Sequence, residues 1–206
     1  NGMARDYFQR ENLSKGLEET VGDDLILISD LDEIPDLNKL EFSQIKNNII
    51  IFEQKMFYYK LNLFYEDYTW QGSKAVKQKN FISPQWLRNI KGKKYPKWRI
   101  DTFFSKKKYS NLLFVKDGGW HFTCLRTPEQ LEKKLLNFAH HYEYEESGLK
   151  LDDIKKLILE KRVMYDHTVD QKGYKWSGKS ILRKTDMDFL PKHISLNKEK
   201  YLDWLD

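Results

Sequence analysis

Residues 24–36 read DLILISDLDEIPD, so the most hydrophobic short run of the chain ends directly in a cluster of carboxylates. A brief apolar run without polar alternation marks a strand covered on both faces, as in the parallel sheet of an α/β domain. Asp30, Asp32 and Glu33 then fall at its C-terminal end, where side chains of α/β proteins project into a ligand crevice. Crowded carboxylates repel one another and lose hydration. Such a turn is therefore either solvated surface, with Asp36 capping the next helix, or a device for holding something positive. In an extended chain, residues two apart point the same way, so Asp30 and Asp32 converge on one cation while Leu31 turns into the protein. Hard oxygen donors suit Mn²⁺ or Mg²⁺, which bridge one or two carboxylates to substrate phosphates.

The surrounding order is that of an α/β domain. A helix is expected from residue 3 to about 20, stopping near Gly22, and another from Asp36 through Leu37, Leu40 and Ile45. NIIIFEQKMFYYKLNLF, residues 48–64, supplies one or two aromatic-rich strands. Ser83 and Pro84 open a short helix. LLFVKDGGWHFTCLR, residues 112–126, reads as strand, Gly-Gly turn, then strand or loop. Thr127, Pro128 and Gln130 form the cap of a helix that carries Leu131, Leu135 and Phe138 on one side. Residues 151–162 suggest a further helix through Ile154, Leu157 and Ile158, and the tail a short last one. There is no repeat, low-complexity tract or linker, and 206 residues suit a single domain.

Composition narrows the class. With 40% hydrophobic and 33% charged residues the chain is an ordinary globular one. Its net charge of +5 favours anionic partners. That excess is concentrated: residues 88–108 hold nine Lys or Arg and one acid, Asp101. This segment is either a solvated loop or a rim that faces an anionic or membrane-linked partner. Cys124 is the only cysteine, which rules out an intrachain disulfide and Cys-rich zinc sites. No signal peptide or membrane span is visible, and the expected location is cytoplasmic. Aromatics make up 15% of the chain; Tyr58, Tyr59, Tyr65, Tyr68 and Trp70 form either a platform for sugar rings or a packed layer.

A D-x-D turn serves two enzyme classes. Haloacid-dehalogenase-type phosphatases place Gly-Thr after it, where this chain has Glu33-Ile34, and use the first Asp as nucleophile. Glycosyltransferases use it to hold a metal on the diphosphate of a nucleotide sugar. SDLDEIP, with YFQREN before it and DGGWHFT, FAHH and LPKHI followed by NKEKY after it, resembles glycosyltransferase family 17, in the same order from about residue 5 to 202. This is the family of the β-1,4-mannosyl-glycoprotein 4-β-N-acetylglucosaminyltransferase.

The resemblance implies a GT-A-like, Rossmann-like domain, dependent on Mn²⁺ or Mg²⁺, that moves GlcNAc from UDP-GlcNAc to a hydroxyl of a glycan acceptor with inversion. It implies Asp30 and Asp32 as metal ligands, with His121 either completing that shell or touching the diphosphate. Gln9, Arg10 and Asn12 match an element that reaches the nucleotide, although Glu11 interrupts it. Gly119, Trp120 and His121 match a second donor-binding element, and His140 matches a family histidine. Family members carry a strand–helix–strand region ahead of the first element; none is seen here, so residues 1–206 are expected to be an N-terminally incomplete catalytic domain.

An inverting transfer also needs a base for the acceptor hydroxyl. Asp117, beside the Gly-Gly turn, is the first candidate, followed by Asp101 and Glu33; Glu53 and His121 are further ones. No nucleic-acid partner is expected, while peripheral contact with a membrane is compatible with the basic segment. A phosphatase, and a non-catalytic module binding glycans or nucleic acid, stand as alternatives.

Overall fold

The computed structural model describes residues 2–46, 49–96, 98–102, 104–137, 141–170 and 173–206. In chain order the helices are α1 (Gly2–Glu11), α2 (Pro84–Asn89), α3 (Pro128–Asn137), α4 (His141–Ser147), α5 (Leu151–Leu159) and α6 (Lys192–Leu196). The strands are β1 (Leu25–Ile28), β2 (Glu33–Pro35), β3 (Ile49–Phe52), β4 (Gln54–Tyr58), β5 (Leu63–Trp70), β6 (Lys74–Lys77), β7 (Leu112–Val115), β8 (Gly119–Thr123) and β9 (Arg183–Lys184). The chain divides into two compact units, Asn1–Gln54 with Trp70–Gly119, and Lys55–Thr69 with Trp120–Asp206. Helices and mixed sheets make it an α/β protein. No described helix is long and apolar enough to cross a membrane.

The first unit is built on a sheet of order β1–β6–β3–β7. Only β3 and β7 run parallel, with Ile50 opposite Leu113; β6 is antiparallel to both β3 and β1. β3 is the strand covered on both faces, which is why it reads Ile-Ile-Ile-Phe without alternation. Ile50 and Phe52 join Leu40, Ile45, Ala75 and Val115 on one side. Ile49 and Ile51 join Val76, Leu87, Ile90 and Leu112 on the other.

β1 differs from the sequence expectation. It is an antiparallel edge strand, and of its four residues only Ile26 is fully buried. Leu25 and Leu27 pack on one cluster and Ile28 on the other, so the run is apolar on both faces without being enclosed.

Local signals account for most helix ends. Ser83 Oγ accepts from the Trp86 amide at 3.2 Å, ahead of Pro84 in the first turn of α2. At the other end of α2, Lys74 Nζ donates to the carbonyls of Arg88 at 2.7 Å and Ile90 at 2.6 Å. Burial pulls the Lys74 ammonium down to about 8, with Arg88 adding to the effect. The helix expected after Asp36 is absent. Asp36 caps a single 3-10 turn, Leu37–Lys39, and the chain then extends so that Leu40 can reach the core before a second turn, Phe42–Gln44. α1 likewise gives way at Asn12 to a 3-10 stretch, Asn12–Leu17, across the weak helix formers Ser14 and Gly16.

In the second unit β8, β4, β5 and β9 lie side by side. β4 and β8 are parallel, with Phe57 opposite Phe122, and β9 is antiparallel to β5. Phe57, Leu61, Phe122, Leu190 and Ile194 form its core. The capping box of α3 is present: the Gln130 amide donates to Thr127 Oγ1 and the Thr127 amide to Gln130 Oε1, both at 3.3 Å. Phe138 and His140 lie outside the described residues. α5 is shorter than expected, and the tail forms a 3-10 helix, Lys198–Trp204.

Candidate functional site

The acidic cluster forms a turn, closed by the Glu33 amide on the Asp30 carbonyl at 3.1 Å. Alternation along an extended chain therefore does not apply, and Leu31, expected to point inward, is fully exposed. The three acids separate into two kinds. Glu33 points inward with none of its side chain accessible, whereas 38% of the Asp30 side chain is exposed.

Glu33 is saturated. Oε1 accepts from Trp70 Nε1 at 2.7 Å and Arg88 Nη1 at 3.0 Å; Oε2 accepts from Ser73 Oγ and the Asp30 amide, both at 3.1 Å. Ser73 is held in turn by Ser29 Oγ at 2.7 Å and Gln54 Nε2 at 3.1 Å. Gly72 leaves room for this cluster: a Cβ there would fall 1.8 Å from Glu33 Oε1 and 2.2 Å from Trp70 Nε1, so the two side chains would have to shift. Burial pushes the Glu33 carboxyl up, but the Arg88 guanidinium, the Trp70 indole and the Asp30 amide outweigh it, and the group lies below its usual value. Those donors favour its charged form.

Asp30 takes the other guanidinium nitrogen, Arg88 Nη2, through Oδ2. Its titration moves the opposite way: burial raises it, the Glu33 charge adds to that, and Arg88 and Arg10 compensate only in part. Oδ1 of Asp30 has no hydrogen-bond partner among the described residues. Asp32 is half-buried on the same turn. Arg88 is the residue that sequence reasoning missed; it counted only as one of nine cations in a basic segment. The available signal was Glu33 itself, since a carboxylate placed next to a core strand requires a cation.

Residues of the two elements expected to serve the donor make the following local contacts. Glu11, the interruption in the Gln9–Asn12 element, accepts from Ser83 Oγ and the Gln85 amide, both at 3.1 Å, and so ties α1 to the start of α2. Asn12 Nδ2 donates to the Phe8 carbonyl at 2.7 Å, and Gln9 is exposed. Arg10 lies near enough to Asp30 to act on its charge.

Gly119 has φ +132°, and a Cβ there would meet the Ile34 carbonyl oxygen at 2.1 Å. The close approach that glycine permits is thus to β2, reinforced by the Asp36 amide on the Gly118 carbonyl at 2.9 Å. Asp117, exposed, occupies the preceding left-handed position at φ +48°.

Asp101 is clamped by Arg99 Nε and Nη2 at 2.7 and 2.8 Å and by Lys108 Nζ at 2.8 Å, and these bonds hold it far below the carboxylate range. In the second unit, Trp120 Nε1 donates to the Phe189 carbonyl at 2.6 Å and its ring packs on the core. His121 is buried there.

Among the described residues no group of three or more His, Cys, Asp or Glu side chains is placed to hold a metal ion, so the shell expected from Asp30, Asp32 and His121 is not present as a group. Asp30 and Asp32 remain as a pair of hard oxygen donors. That is the complement by which Mg²⁺ or Mn²⁺ is held when phosphate oxygens and water fill the other positions, and too few to retain the ion by protein groups alone. No family model, no curated protein and no solved structure matches the chain.

Proposed function

We propose that the chain is a GT-A-like, metal-dependent glycosyltransferase that moves GlcNAc from UDP-GlcNAc to a hydroxyl of a glycan acceptor with inversion. The observation that carries this reading is the division of labour in the acidic turn. Glu33 is locked inside by Trp70, Ser73 and Arg88, and the turn it anchors presents the half-exposed Asp30 beside Asp32. Mn²⁺ or Mg²⁺ supplies charge neutralisation for a leaving nucleotide diphosphate.

The chain's own groups do the rest. Asp30 and Asp32 orient the cation, Arg10 contributes positive charge beside them, and Arg88 keeps Asp30 in place. Of the carboxylates considered as base, Glu33 and Asp101 are made weakly basic by their cationic neighbours and Glu53 accepts from Gln71, and this reading gives the acceptor proton to the exposed Asp117.

The basic segment supports peripheral contact with an anionic membrane surface, the partner this reading gives it. Trp98, Ile100 and Phe104 are largely exposed among Lys93, Lys94, Arg99 and Lys106 to Lys108.

Calorimetry of UDP binding tests the assignment. Binding is expected with Mn²⁺, to vanish in EDTA, and to vanish in Asp32→Asn while the melting temperature holds. Metal-indifferent binding, or release of phosphate from simple esters in place of UDP binding, would end it.

A further inference from the structure

The basic segment of the first unit folds into a closed loop. The Lys91 amide donates to the Lys107 carbonyl at 2.8 Å, so the two ends of residues 91–107 meet, as in an Ω-loop packed by its own side chains. Its centre is wound through successive turns, with the Arg99 amide on the Pro96 carbonyl at 3.1 Å and the Thr102 amide on the Arg99 carbonyl at 3.2 Å. Asp101 braces them. Arg99 and Lys108 both donate to it, and the same two cations lie over the ring of the buried Tyr95, at 5.3 and 6.0 Å. A loop held in this way is preformed, so a partner need not order it.

The brace leaves two kinds of side chain outside. Trp98, Ile100 and Phe104 are 80%, 73% and 85% exposed, although removing them from water would be favourable. The segment's one acid is spent on Arg99 and Lys108, while Lys91, Lys93, Lys106 and Lys107 are exposed on the limbs that lead to the apolar centre.

Of three kinds of partner for such a surface, two fit poorly. A nucleic acid would meet the cations but would find no stacking surface in Ile100. A second copy meeting the same face would bring like charges together. An anionic bilayer serves both sets. Tryptophan favours the headgroup level, isoleucine and phenylalanine the hydrocarbon beneath it, and each lysine near an anionic surface adds about fivefold in affinity.

We infer that this loop inserts into anionic membranes: Trp98, Ile100 and Phe104 enter the bilayer, while Lys91, Lys93, Lys106 and Lys107 stay among the lipid phosphates as a collar. Insertion presupposes the membrane contact proposed for this segment and says how that contact is made. It does not depend on UDP binding.

Brominated lipids read the depth. The full chain is mixed with phosphatidylcholine vesicles, with or without phosphatidylserine, whose acyl chains carry bromine. Tryptophan emission is compared between the parent and Trp98→Phe, an exchange that keeps an aromatic ring. With phosphatidylserine present the parent should lose emission to the bromines. Trp98→Phe should still float with the vesicles but lose much less. Ile100→Ser with Phe104→Ser, which leaves the charge unchanged, should weaken binding more than about tenfold. Flotation without bromine quenching would leave the contact standing and end the insertion, as would equal quenching in Trp98→Phe or undiminished binding by the double variant. Failure to float at all would remove contact and insertion together. Shielding of Trp98 from acrylamide that grows with protein concentration would assign the surface to a second copy, and binding of single-stranded DNA in place of vesicles would assign it to nucleic acid; either would overturn the inference. Metal-dependent UDP binding is read separately by calorimetry, so either result can fail without the other.

Discussion

Asp30 and Glu33 sit on the two terminal nitrogens of one arginine, yet Arg88 leaves them titrating in opposite directions, Asp30 upward and Glu33 downward. The difference lies in saturation. Glu33 has four donors on its two oxygens, whereas Asp30 has Arg88 alone among its side-chain partners and the negative charge of Glu33 beside it.

Removing the shared arginine should expose that asymmetry. Arg88→Ala strands the buried Glu33 charge and is expected to destabilise the protein by about 3–5 kcal/mol. Urea denaturation measures it. Glu33→Gln in the Arg88→Ala background should recover part of the loss, because a neutral amide needs no counter-charge. A loss below about 1 kcal/mol would mean that the cluster is not the anchor described here.

Asp30 should behave as a functional acid. Because its folded value is raised, its charge disfavours the folded state at neutral pH, and stability falls as pH rises from the unfolded value of 3.8 through the folded one. Asp30→Asn is therefore expected to leave stability within about 1 kcal/mol of the parent while lowering Mn²⁺-dependent UDP binding more than about tenfold. Binding by the parent should weaken on acidification before an ordinary aspartate would protonate. Glu33 contributes with the opposite sign: its stabilisation is present above its ordinary 4.5 and is lost as pH falls through its lowered value. Calorimetry and melting curves on the same acid series separate the two.

Gly119→Ala tests the turn that carries Asp117. A methyl group would stand 2.1 Å from the Ile34 carbonyl oxygen and 2.9 Å from the Asp36 amide, at φ +132°. Backbone cannot yield there as a side-chain tip would, so a loss of more than about 2 kcal/mol is expected by thermal denaturation.

The second unit has its own buried carboxylate. Asp166 accepts from Tyr65 Oη and Ser180 Oγ at 2.7 Å, and from the Thr168 amide and hydroxyl at 2.9 and 2.6 Å. Burial would raise it, but these bonds hold it at about 2. Its stabilisation is complete above the ordinary 3.8 and disappears as pH falls towards about 2. Asp166→Ala, which leaves those donors without their acceptor, should cost about 2–4 kcal/mol, and the acid limb of the stability profile should flatten between those two pH values.

Flotation with vesicles examines the exposed Trp98, Ile100 and Phe104. The chain should bind vesicles containing anionic lipid, release with rising salt, and bind more weakly as Trp98→Ala with Phe104→Ala. Equal binding to neutral vesicles would show that the cations have no part.

Caps and core strands were legible because their causes are local. Ser83 with Pro84, the Thr127–Gln130 box and the uninterrupted Ile49–Phe52 all act within a few residues. The partners of Asp30 and Glu33 were not. Arg88 reaches them across more than fifty residues, and a basic stretch gives no sign of which cation turns inward. The apolar run before them misled for a related reason. An edge strand with clusters on both faces reads like an enclosed one, and nothing in Leu25–Ile28 announces its antiparallel pairing with Lys74–Lys77. Of the five aromatics expected as a platform, Tyr58 alone lines the aromatic cavity of the second unit, whose other rings, Tyr144, Tyr165 and Trp176, come from distant segments.

Neither unit is a continuous stretch of chain, and this has a consequence during synthesis. Phe57, fully buried in the finished protein, is paired in the sheet with Phe122, made 65 residues later. At roughly 5–20 residues per second, Met56, Phe57 and Tyr58 leave the ribosome some 3–13 s before β8, one of the two strands that flank them, exists. An apolar strand with an open hydrogen-bonding edge is the species that chaperones retain and that aggregates when they do not. The nascent chain should therefore depend on holding factors between the emergence of residue 58 and that of residue 123, and slow translation across that interval would lengthen the exposure.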